Sequence, residues 1–136
     1  MEIAALITWL LTAGGGFYLL YTWISKGGPR NRSTSRFPPA LIFGHFGLAA
    51  TGLVLWIIYV IVDSDALAWI ALILLLPVAL LGITMFARWL PTYRARATAV
   101  ADPPAERHFP VATVGAHGAL AVTTVVLVLL TVLLEG

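Results

Sequence analysis

From Ala66 to Leu90 the chain reads ALAWIALILLLPVALLGITMFARWL, a stretch in which Arg88 is the sole charged residue. A helix needs roughly 20 apolar residues to cross a hydrocarbon core of about 30 Å, and this stretch is long enough. Three more stretches match it: Ile3 to Ser25, Ala40 to Val62, and Val111 to Leu134. The expected fold is an all-α integral membrane four-helix bundle, a single domain over residues 1–136. Composition agrees, because 60% of the residues are hydrophobic and only 10% charged, whereas a soluble domain carries about a quarter charged residues to cover its surface. The chain has no cysteine, which excludes disulfide frameworks, thiolate-held iron–sulfur clusters and cysteine nucleophiles.

The connections set the topology. Asp63-Ser64-Asp65 leaves room only for a tight turn, so the second and third spans form an antiparallel hairpin. Lys26 to Pro39 carries Gly27-Gly28-Pro29 and Pro38-Pro39, which end one helix and begin the next. Pro91 is expected to close the third helix and Pro110 to open the fourth. All eight basic residues border or occupy these two longer connections: Lys26, Arg30, Arg32 and Arg36 in one, Arg88, Arg94, Arg96 and Arg107 in the other. Glu2, Asp63, Asp65 and Glu135 fall at the opposite end. Positive-inside bias therefore puts both termini outside and both basic loops in the cytoplasm. This distribution accounts for the net charge of +2 without invoking nucleic acid. Glu2 stands where a cleaved signal peptide needs positive charge, so the first span is expected to stay. Seven arginines against one lysine, with much alanine and valine, suggest a bacterial source and hence the bacterial cytoplasmic (inner) membrane, crossed several times. The tryptophans and tyrosines gather toward span ends, where amphipathic rings anchor at headgroup level.

A repeat runs through the second and fourth spans. His45-Phe-Gly-Leu48-Ala49-Ala50-Thr51 aligns with His117-Gly-Ala-Leu120-Ala121-Val122-Thr123, and both follow a Phe-Pro pair, Phe37-Pro38 and Phe109-Pro110. The halves read as two repeated helical hairpins. His45 lies six residues past Pro39 and His117 seven past Pro110, which at 1.5 Å per residue is ~9 Å and ~10.5 Å into the membrane from one side. Two ionisable side chains at one depth are expensive unless they face the bundle interior, and they invite a shared ligand. Glycines bracket them at Gly44, Gly47, Gly115 and Gly118, with Gly14-Gly15-Gly16 in the first span. Such residues permit close helix packing or room for a flat macrocycle.

Paired imidazoles in apolar surroundings suit the axial positions of a b-type haem, with His45 and His117 as ligands to its iron. Arg36, Arg88 and Arg107 are then candidates for the two propionates, since the guanidinium fork matches a carboxylate. The same arginines also serve topology and anionic lipid. His108 is a candidate bridge to a propionate or an interfacial residue without a ligand role. The alternative for the pair is structural, each ring bonding to its partner, to a hydroxyl such as Thr51, Thr113 or Tyr59, or to a carbonyl. Two histidines without a third ligand do not complete a copper or zinc site.

Four helices with buried histidines at matched depth on two of them resemble the membrane cytochromes b, including the small bacterial four-helix di-haem oxidoreductases. The resemblance rests on His45 and His117 alone and implies electron exchange with quinone, ascorbate, superoxide or a redox protein. That family commonly holds a second haem toward the opposite face, and the outer half of this chain has no histidine for one. A single haem near the cytoplasmic side, serving quinone or a cytoplasmic partner in a possible membrane oxidoreductase, is the expectation. Two other classes compete. A non-enzymatic accessory or assembly subunit would dock partners through Pro91 to Pro110. A small transporter would want an acid within a span, and none is there. On any of these readings a homo-oligomer could bring cofactors together or use the glycine-rich first span.

Overall fold

The computed structural model describes residues 1–31 and 35–134. Arg32 and Glu135, both used to orient the chain, lie outside the described residues. Four helices form, α1 (Glu2–Ser25), α2 (Pro39–Val62), α3 (Asp65–Arg94) and α4 (Val111–Leu134), and among the described residues there is no strand. All four are long and apolar enough to cross a membrane. Their outer faces expose large apolar side chains such as Ile61, Ile73, Leu80 and Ile83, as a surface meeting lipid would. The multi-pass reading of the sequence fits this architecture.

Helix ends fall close to the expected ones, with one exception. Pro91 does not close α3, which runs on to Arg94. A proline keeps a helical φ and removes only its own N–H, leaving the carbonyl four residues earlier without that donor. Near the end of a helix water can supply a donor, so the helix survives. Pro77 is likewise absorbed inside α3. Between α2 and α3 the turn is made by Asp63, whose φ of 53° is left-handed and whose N–H closes on the Tyr59 carbonyl at 2.8 Å. Aspartate tolerates that conformation better than a bulkier residue would.

Around the bundle the order is α1, α2, α3, α4, so α2 and α4 stand diagonally. The packing is uneven. α2 lies chiefly on α3 and α4 chiefly on α1, and these two pairs meet each other more sparsely. Lipid is as apolar as leucine, so packing and polar contacts, not burial from water, hold such pairs together. The bundle is thus two helix pairs with a seam between them.

The buried core is split along the helix axes. One cluster, with Ala5, Trp9, Trp56, Tyr59, Leu72, Leu75 and Val128, fills the end that holds Glu2 and the Asp63 turn. A second, with Trp23, Phe37, Ile42, Trp89 and Ala105, closes the basic end. Between them, over residues 10–21, 43–51, 79–88 and 111–123, no described residue is fully buried. Gly28 lets the first loop lie directly on the buried Trp23 indole, where a Cβ would overlap the ring atoms. Gly28→Ala is expected to lower the thermal unfolding midpoint in detergent by the equivalent of about 1–3 kcal/mol of overpacking. Gly44→Ala, where a Cβ meets nothing within 4 Å, serves as the control that leaves the midpoint in place.

Candidate functional site

The middle layer, where no described residue is buried, is the level of the two histidines. His45 on α2 and His117 on α4 point inward from diagonal corners, and their ring centroids stand 6.3 Å apart with the planes tilted by 67°. The matched depth read from the sequence is therefore real contact distance across the seam between the helix pairs.

Each ring is anchored to the helix it packs on. The Nδ1–H of His45 donates to the Val78 carbonyl of α3 at 3.0 Å, and that of His117 to the Thr12 carbonyl of α1 at 2.8 Å. These carbonyls already belong to helical ladders, so access to them needs a reason. It lies four residues on. A helical side chain leans back over the preceding turn and covers the carbonyl four residues before it. Four after Val78 comes Gly82, and four after Thr12 comes Gly16. A Cβ at Gly82 would stand 3.4 Å from His45 Cε1, and one at Gly16 would stand 3.1 Å from His117 Cε1. Glycine at both places uncovers the carbonyl and leaves the space the imidazole occupies. Part of the glycine content that the sequence offered as room for a macrocycle therefore makes room for the imidazoles instead.

With Nδ1 donating to a carbonyl, a neutral ring carries its lone pair on Nε2. Metal-binding histidines are commonly oriented this way, the second nitrogen held by a backbone oxygen. Neither Nε2 takes part in a hydrogen bond among the described contacts. Of the structural alternatives read from the sequence, the bond to a carbonyl is the one found for both rings; Thr51 turns its own hydroxyl to the Gly47 carbonyl. Among the described residues no group of three or more His, Cys, Asp or Glu side chains could hold a metal ion.

The repeat extends further than the histidine segment. α1 and α3 match at a shift of 66 residues, which pairs Ala5 with Ala71, Leu6 with Leu72, Ala13 with Ala79, Gly16 with Gly82 and Trp23 with Trp89. α2 and α4 match at a shift of 72, which pairs His45 with His117. Exchanging the hairpins thus carries the His45–Val78–Gly82 unit onto His117–Thr12–Gly16. Burial follows the same exchange, with Trp56 and Val128 both fully enclosed and Tyr59 and Thr131 both buried.

The three arginines lie toward the basic end, and none makes a hydrogen bond to either imidazole among the described contacts. Arg88 Nη1 donates to the Arg36 carbonyl at 3.0 Å. Arg107 Nη2 donates to the carbonyls of Arg96 and Thr98 at 2.6 and 2.7 Å. His108 folds onto its own turn, Nδ1 meeting the Ala105 carbonyl at 3.2 Å, away from the pair.

One residue was missed. Glu106, which the sequence did not single out, is fully buried in a 3₁₀ turn, Ala105–His108. It accepts from Ser35 Oγ at 3.0 Å and from the Arg36 N–H at 2.6 Å, while Trp23 Nε1 donates to Ser35 Oγ at 3.2 Å. This carboxylate ties the two basic loops together across the end of the bundle. The signal available was Pro103-Pro104 before it and Pro110 after it, which restrict the segment too strongly for a free linker.

No protein family matches the chain, and neither a curated relative nor a solved structure does. The geometry generates its own test. Gly16→Val is expected to displace the His117 ring and lower the thermal midpoint by several degrees, while Gly14→Val, at a site with nothing within 4 Å of a Cβ, leaves it unchanged. Equal effects at both positions would mean that the glycine under the ring has no special role.

Proposed function

We propose that the protein is a membrane-embedded b-type haem protein that carries electrons, with His45 and His117 as the axial ligands. The observation that carries this reading is the pair of imidazoles, each fixed through Nδ1 to a neighbouring helix, with ring centroids 6.3 Å apart. Two imidazoles on one iron, with metal–nitrogen bonds of roughly 2 Å, have centroids about 6 Å apart. A haem brings four of the iron's ligands with it, so two histidines complete the set where they could not complete a bare zinc site. The sparse contact between the helix pairs, level with the gap between the two cores, supports this reading.

When bound, the haem supplies a one-electron carrier within the apolar bundle. The chain's own residues do the rest. Thr12 and Val78, through their carbonyls, hold the imidazoles in one tautomer and make them stronger donors. The cluster around Trp9, Trp56 and Tyr59 closes the outer side, and the Trp23 and Trp89 cluster closes the inner side against water. Of the three arginines, Arg88 is the best placed for a propionate, leaving α3 six residues after Gly82, about 9 Å along the helix. Histidines at one level, nearer the basic end, favour exchange with quinone or a cytoplasmic redox partner over conduction across the whole bilayer. On this reading the basic loops are cytoplasmic and the protein resides in a bacterial inner membrane.

Protein purified from haem-replete cells is expected to show a Soret band and a redox-sensitive α band. His45→Ala and His117→Ala should each abolish the six-coordinate spectrum, and His108→Ala should preserve it. Colourless wild-type protein, or full haem content in either buried-histidine variant, would overturn the assignment.

A further inference from the structure

At the basic end Arg36 is clamped by its backbone. Its N–H donates to Glu106 Oε1 at 2.6 Å and its carbonyl accepts from Arg88 Nη1 at 3.0 Å. The side chain therefore starts from a fixed point, and its guanidinium makes no hydrogen bond among the described contacts. Arg36 separates two cavities, one of about 320 Å³ shared with Arg88 and one of about 360 Å³ shared with Thr92, Thr98, Asp102 and Arg107.

The second cavity has the marks of a built site. Arg107 is oriented by the carbonyls of Arg96 and Thr98, which engage one of its terminal nitrogens and leave further guanidinium donors. Thr92, only 6% exposed, lines the cavity, and its hydroxyl is the one buried side-chain polar atom among the described residues with no hydrogen-bond partner. Two arginines and two threonines, Arg36, Arg107, Thr92 and Thr98, line one space, and that lining suits an anion with several acceptor oxygens. Asp102 lines the same cavity as a single opposing charge, so the site remains cationic overall. Its depth is that of the Tyr93 ring, which stacks on Trp89 and carries the Arg96 guanidinium 4.0 Å from its centroid. Aromatic and basic side chains so arranged mark the headgroup level of a bilayer.

We propose that this cavity binds a phosphate group, carried either by an anionic phospholipid headgroup or by a soluble phosphate. Arginine is suited to it because the planar fork engages two phosphate oxygens at once. The site is independent of the histidine pair, and it assigns Arg36 and Arg107 to phosphate, whereas the sequence had suggested haem propionates for them.

The test uses the full chain in phosphatidylcholine micelles at constant ionic strength, with the unfolding midpoint titrated by dihexanoyl-phosphatidylglycerol and, separately, by sodium phosphate. A saturable rise is expected. A rise with phosphatidylglycerol alone assigns the site to a lipid headgroup, and a rise with inorganic phosphate as well assigns it to soluble phosphate. Arg36→Gln and Arg107→Gln are each expected to raise the half-saturating concentration about tenfold, the usual consequence of losing a charged hydrogen bond. Asp102→Asn should lower it, and Arg94→Gln, exposed and off the cavity, should leave it unchanged. Should Arg107→Gln fail to fold, Arg36→Gln carries the test, since its side chain makes no described hydrogen bond. No saturable rise with either probe, or equal weakening by Arg94→Gln, would overturn the proposal. The haem spectrum of Arg36→Gln is expected to be unchanged, which separates this site from the histidine pair.

Discussion

A backbone carbonyl uncovered by glycine is the contact on which the middle of this bundle depends. An imidazole inside an apolar bundle needs a partner, because an unsatisfied polar group there is costly. Here the partner is a main-chain oxygen of the adjacent helix, reached because Gly16 and Gly82 lack the Cβ that would cover it. The same contact ties α2 to α3 and α4 to α1, the two closely packed pairs. It also fixes the direction of both rings and the nitrogen left for a ligand. Helix pairing and site geometry therefore have one origin.

The internal two-fold repetition explains why the site is a pair. A single hairpin offers one histidine, on its second helix, and one glycine-uncovered carbonyl, on its first. Within the hairpin these do not meet. They meet only when two hairpins associate, the histidine of each reaching the first helix of the other. The departures from repetition are local. Phe46 packs edge-on against Phe17 at 5.4 Å and Phe43 against Trp23 at 6.3 Å, which fills the α1–α2 side at this level. The equivalent positions on α4, Gly118 and Gly115, have nothing within 4 Å of a Cβ. The two sides of the seam are thus closed to different extents at the level of the histidines.

Much of this was legible in the chain. Ala66 to Leu90 and its three counterparts announced the helices, Asp63-Ser64-Asp65 the central hairpin, and the count from Pro39 and Pro110 the common depth of His45 and His117. What the sequence left hidden depended on contacts between distant residues. Gly16 read as close helix packing or room for a macrocycle, and its purpose, like that of Gly82, appears only when a ring from another helix lies on it. Glu106 did not stand out because its donors, Ser35 and the Arg36 N–H, come from a loop some 70 residues earlier. Pro91 misled because proline disfavours helix interiors but is tolerated near a helix end at which water can replace the lost donor. The match of α1 to α3 was available in the sequence, through the Gly16–Gly82 and Trp23–Trp89 pairs at one shift, and would have pointed to the glycines directly.

The most direct test is electron paramagnetic resonance of the oxidised, purified protein at low temperature. Two imidazoles on one iron give a low-spin ferric signal, and a single His45→Ala or His117→Ala change should convert it to high spin or remove it. A high-spin signal in the wild-type protein, or a low-spin signal that persists without either ring, would contradict a shared iron between His45 and His117.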